Sequence, residues 1–136
     1  MLGRWGWSTL SLDESDFLVR HRDGSSWALA SNCRATAASV ELLAAELARA
    51  TGGRLRERGH RVWHAGLEGW VQRLTRRDGE PGVEIKTVTL RGPRCTYDWI
   101  LVAPSAERLE ELEEPFDAWW QSFEPGPGDR AEEGER

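Results

Sequence analysis

Apolar and polar residues alternate in short blocks divided by glycine and proline turns, and twice the spacing lengthens to that of a helix. Residues 16–21 (DFLVRH) predict a short strand. The Asp23-Gly24 pair predicts a tight turn after it, and residues 26–32 (SWALASN) the return strand. Trp27 and Leu29 then share one face and Ala28 and Ala30 the other, where a helix or strand can approach closely. Residues 36–50 predict a helix, because Val40, Leu43, Ala44 and Leu47 form one apolar stripe. Thr36 or Ser39 can cap its start, and Gly52-Gly53 stop it. Residues 54–63 read as a strand entering a turn, with a helix the competing reading, and residues 66–76 as the next strand. In residues 83–91 Val83 and Ile85 alternate with Glu84 and Lys86, and the phase then slips near Val88 and Leu90, which predicts a bulge. Residues 95–103 (CTYDWILVA) are apolar on both faces and predict the central strand.

Ser105 caps a second helix, in which Leu109, Leu112, Phe116, Trp119 and Phe123 stay in phase across Pro115. A kinked or briefly broken helix is expected. The order is β-β-α-β-β-β-α. It specifies an α+β fold: an antiparallel sheet of about five to six strands with two amphipathic helices packed on it. One domain is expected over residues 1–124, followed by a disordered acidic tail over 125–136 that holds no large apolar residue.

Composition changes this picture at few points. A chain of 136 residues fits one domain and buries a core without staples. The formal charge of −5 argues against general binding to nucleic acid or anionic lipid. No stretch is long and apolar enough for a membrane span. The first residues, MLGRWGWSTL, lack the features of a signal peptide, so the sequence as it stands is expected in the cytoplasm, or in the periplasm or envelope if a signal sequence precedes it. Tryptophan is abundant, eight against one Tyr and three Phe, and such residues more often fill a core than form a ligand cage.

The candidate chemistry is sparse. Cys33 closes one strand and Cys95 opens another, so they can pair if those strands are antiparallel neighbours, or stay as two buried thiols. His60 and His64 are four apart, but in a strand-and-turn context without HExxH, and no metal or cofactor is expected. Arg54, Arg56 and Arg58 alternate along a strand and can meet an anion or acidic partner; the plainer reading is a solvated face. Asp98 stands alone in its apolar strand, and such a carboxylate usually pairs with arginine or caps a turn. Trp119 and Trp120 cannot both face the core from one helix, so one of them is expected to be exposed or half-exposed and is a candidate contact for a partner, and Trp5 and Trp7 can cover a sheet edge or do the same.

Two segments, DFLVRHRDGSSWALASNC and CTYDWILVAP, each followed by a helix, flank the hairpin element Gly66-Leu67-Glu68-Gly69. Together they resemble a group of small uncharacterised bacterial lipoprotein-like proteins. The layout is similar to the PsbP-like α/β/α sandwich. The resemblance implies a non-enzymatic, envelope-associated accessory module with Cys33 and Cys95 paired. The function expected is therefore a protein-interaction module presenting Trp119, Trp120, Arg54, Arg56 and Arg58 to a protein partner, with its oligomeric state open. The competing reading is a domain that binds a small ligand or anion in a pocket between sheet and helices.

Overall fold

The structure is a computed structural model and describes residues 7–10, 17–34, 37–76 and 82–126. Seven strands and two helices follow in the order β1 (Trp7–Leu10), β2 (Phe17–His21), β3 (Ser26–Asn32), α1 (Val40–Thr51), β4 (Arg54–His64), β5 (Leu67–Arg76), β6 (Val83–Arg91), β7 (Thr96–Ala103) and α2 (Ala106–Gln121). All strands join one antiparallel sheet in the order β1-β2-β3-β7-β6-β5-β4. The expected α+β class stands, and β7 is the middle strand. The strand count rises to seven. β1 is a four-residue edge strand too short to show a period, and residues 54–64 form a full strand. Trp5 and most of the expected tail lie outside the described residues, as does Thr36, while Pro125 is buried.

The local signals explain most boundaries. Ser39 caps α1, its hydroxyl accepting from the Leu42 N–H, and Gly52 ends the helix at φ 76°, a left-handed value that favours glycine. The β4–β5 hairpin turns in two residues, Ala65 at φ 52° and Gly66 at φ 81°, the paired positive angles that suit the twist of the strands. Helix α2 runs unbroken through Pro115. That proline and Glu111, whose carbonyl loses its intrahelical donor, both lie on the exposed side, where water replaces the bond.

The helices take opposite faces of the sheet. Helix α2 packs on β6 and β7, burying Leu109, Leu112, Phe116 and Trp120 against Val88, Leu90, Trp99 and Leu101. Helix α1 packs on β4, β5 and β6, with Val40 and Ala44 turned inward near Leu74 and Ile85. The Gln72 amide donates to the Ala44 carbonyl at 2.8 Å, which satisfies a buried polar group and ties α1 to the sheet.

No bulge occurs in β6. Its register with β5 and β7 is continuous. The phase slip has another cause: β6 is covered on both faces, so apolar side chains are wanted at both parities. Its two buried charges, Glu84 and Lys86, face the α2 side. Lys86 Nζ lies 2.8 Å from Glu113 and 2.9 Å from Asp117, one turn apart on α2, and Glu84 takes Arg56 at 3.0 Å and the Thr75 hydroxyl. Two partners make a buried ammonium tolerable; stripping it of them would cost roughly 3–5 kcal/mol. The bulges lie instead in β4, between Leu55 and Glu57 and between Glu57 and His60.

Asn32 pairs with Thr96 at the end of the β3–β7 ladder, so Cys33 and Cys95 fall on the next rung, and their sulfurs are joined. The bond spans 62 residues of sequence. A closed loop of that length confers about 4 kcal/mol in the chain-entropy model. Reduction should lower the unfolding free energy by about 2–4 kcal/mol in denaturant titrations, and the Cys33→Ser/Cys95→Ser protein should match the reduced wild type.

Candidate functional site

The fold accounts for most of the side chains singled out in the sequence. Trp120 is buried at 5 % exposure, and its indole N–H donates to Asp117 at 3.1 Å. Trp119 is half-buried, its ring centroid 5.5 Å from that of Trp27. Both therefore complete the α2-side core, and neither joins the arginine strand. His64 Nε2 sits 2.8 Å from the Phe123 carbonyl, and its ring meets the edge of Trp120. His60 lies four residues away along the same strand, about 13 Å at strand rise, so the pair does not converge. Among the described residues no group of three metal-ligating side chains forms.

The arginine strand is β4, the edge of the sheet. Its bulges break the expected alternation, so Arg54, Arg56 and Arg58 do not form one row. Arg56 turns to Glu84 on the α2 side. Arg58 stands at the crossing point and lines recesses on both sides. Arg61 faces α1, where it binds Glu41 at 2.9 Å and Glu68 at 2.7 Å with its guanidinium 5.7 Å from the Trp70 ring centre. Trp63 and Leu55, exposed at 67 % and 61 %, share that side. A second, less exposed leucine, Leu42, lies on α1.

Between α1 and β4 runs a groove of about 510 Å³ with Ala45 and Ala48 on one wall, Leu55 and Gly59 on the other, and Trp70 within it. Gly59 is needed here because a Cβ would strike the Trp70 indole nitrogen and lie 2.9 Å from the Val71 carbonyl. The sequence held signals for this groove, a glycine and a lone tryptophan on facing strands, but not their pairing across the bulges. Gly59→Ala should displace Trp70, destabilise the protein by about 1–3 kcal/mol, and move the indole fluorescence.

On the other flank of α1 lies a cleft of about 460 Å³. Asp98 and Thr96 of β7 and Asn32 of β3 form its floor, and Leu43 and Leu47 of α1 its wall. The Thr89 hydroxyl donates to Asp98 Oδ1 at 2.7 Å, so the arginine partner expected for this carboxylate is replaced by a neutral donor. Burial pushes the Asp98 carboxyl from 3.8 up to about 6, and the Thr89 bond offsets only part of that.

No family model matches the chain, and no curated protein matches it in sequence. Solved structures share its architecture. A Pseudomonas aeruginosa protein of unknown function, PA94, described as a candidate regulator, superposes with a TM-score of 0.67 at 12% identity, covering 89% of this chain and 98% of that one. Cyanobacterial PsbP from Synechocystis superposes with a TM-score of 0.63 at 10% identity, covering 82% and 77%. The fold is PsbP-like. A third match, from Bacteroides thetaiotaomicron, has a TM-score of 0.51 at 12% identity and covers 80% of this chain but 39% of that one. Identities this low speak for the PsbP-like fold alone.

The Asp98 shift has a consequence for stability. Folding raises this pKa from 3.8, so the folded chain holds the proton more tightly than the unfolded one. The stability associated with the neutral acid is complete below about pH 4 and lost as pH rises through about 6. Asp98→Asn should therefore stabilise the protein at pH 7.5 by on the order of 2 kcal/mol, with the gain vanishing near pH 4. Melting curves across that range check it.

Proposed function

We propose that this chain is a non-catalytic accessory module that binds a protein partner along β4 and the groove beside α1. The observation that carries this reading is the composition of the sheet edge. An eleven-residue strand presents its outer backbone groups together with exposed Trp63 and Leu55, while the other tryptophans with described side chains are at least half-buried. Exposed aromatic and aliphatic anchors beside arginine are the composition of binding hot spots.

The partner class follows from charge. Arg54 and Arg58 have no ion-pair partner among the described residues, whereas Arg56 and Arg61 are matched internally. Two unspent cations on the edge of a chain of net charge −5 favour an acidic segment, bound in extended form by strand addition. The bulges in β4 twist the edge and guard it against indiscriminate pairing. Among the described residues no helix is long and apolar enough to cross a membrane. The Cys33–Cys95 bond supports an oxidising compartment such as the bacterial envelope.

A photo-crosslinking residue in place of Trp63 should trap a discrete acidic partner in the cell of origin, and one in place of Glu110 on exposed α2 should not. Arg54→Glu/Arg58→Glu should abolish the Trp63 adduct while changing unfolding free energy by less than about 0.5 kcal/mol. Equal adducts from both positions, or an adduct indifferent to the charge reversal, would count against the proposal.

A further inference from the structure

The cleft on the far flank of α1 has a composition the fold does not require. Its deepest charged group is Asp98, in the central strand of the sheet. Among the described residues the two fully buried charges are matched, Lys86 by Glu113 and Asp117 and Glu84 by Arg56. Asp98 receives one neutral hydrogen bond, on Oδ1, and no cation pairs with it among the described residues. Its other oxygen has no donor among the described residues yet is not sealed from solvent, which leaves it facing the cleft. A carboxylate left this way destabilises the fold and suits a ligand that supplies the missing charge.

The rest of the cleft narrows the ligand class. Leu43 and Leu47 offer an apolar wall opposite the acid, and Asn32 and Thr96 offer neutral hydrogen-bonding groups. Two further charges line the cleft, Arg34 beyond β3 and Glu46 on α1; both are exposed and opposite in sign, so their fields largely cancel. An anion would be repelled by the deepest group. A divalent metal would want several more oxygen ligands than one buried carboxylate supplies. The volume, about 460 Å³, falls within the range of small-molecule sites. Next to the floor residues, Cys33 and Cys95 lock the two strands together, so the floor is rigid. We propose that this cleft binds a small organic ammonium ion, its charged head on Asp98 and its apolar body along Leu43 and Leu47.

The site is independent of the β4 edge, so either reading can fail alone. The test uses the full chain and n-butylammonium as probe, with butyrate and n-butanol as controls at constant ionic strength. Chemical shifts of the Asp98 carboxyl carbon and of the Thr96 and Leu47 amides report binding. Butylammonium should give saturable shifts in the millimolar range at pH 7.5, and butyrate and butanol should give none. Binding needs the ionised acid, so it should weaken about tenfold per pH unit below about 6. Asp98→Asn should weaken it at least tenfold. Leu47→Lys, a change at a half-buried helix position, should block the probe by placing an ammonium inside the cleft. The proposal is overturned if butyrate or butanol shifts the same resonances as strongly, if no saturation occurs, if affinity is flat between pH 4.5 and 7.5, or if folded Asp98→Asn binds as wild type does.

Discussion

Two helices must cover a sheet too wide for them. Seven strands at about 4.8 Å spacing make a sheet about 29 Å across, whereas one helix spans about 10 Å. With one helix on each face, full cover is possible only near the middle. Strand β6, which both helices reach, is accordingly buried at nearly every position. On the α2 side aromatic rings extend the cover: Trp27, Tyr97, Trp119 and Phe123 pack around the helix-buried core and carry it towards β3. On the α1 side the rings sit towards the β4 edge instead: Trp70 lies in the groove beside α1 and Trp63 is exposed on β4. Ala28, Ala30, Ile100 and Val102 on that side remain half-buried, and Asp98 borders a cleft.

The same constraint determines how charge is handled inside the sheet. Side chains on a doubly covered strand cannot reach water, so each charge needs a local answer. Lys86 finds two carboxylates on α2 and Glu84 finds Arg56. Asp98 lies one strand away, in register with Thr89, and receives a hydroxyl alone. Its elevated pKa expresses that mismatch. The fully buried Lys86 and Glu84 are neutralised, while Asp98 is left with a hydroxyl at the edge of a cleft, and this contrast is what the ammonium-site proposal rests on.

Much of the architecture was legible in the sequence. Ser39, Gly52 and Ser105 act locally, within one helical turn, and so revealed their elements. Strand β7 announced its central place through apolar residues at both parities. What failed was whatever depended on a partner strand. The bulges of β4 exist only against β5, so the three arginines looked like one row when they are not. The phase slip of β6 looked like a bulge because a second covering helix was not visible from one strand. Trp119 and Trp120 diverge as one helix requires, Trp120 buried and Trp119 half-buried against Trp27, but that ring contact was not visible from the helix alone. Asp98 was noticed as a polar residue in an apolar strand, but its missing cation is a fact of three dimensions.

A PsbP-like fold shared at 10–12% identity carries little about activity, so functional information has to reside in residues the fold does not use. Few meet that description here: Leu55, Trp63, Arg54 and Arg58 at the sheet edge, and Asp98 in the cleft. They flank one element. Helix α1 offers Ala45 and Ala48 to the groove against β4, and Leu43 and Leu47 to the cleft over β7. Only Val40 and Ala44 are fully buried along it, with the Gln72 bond as a polar tie. By contrast α2 buries four large side chains. The helix with fewer buried side chains thus forms a wall of both openings. The two openings therefore share one wall, yet no lining residue is common to both, so each surface stands on its own side chains.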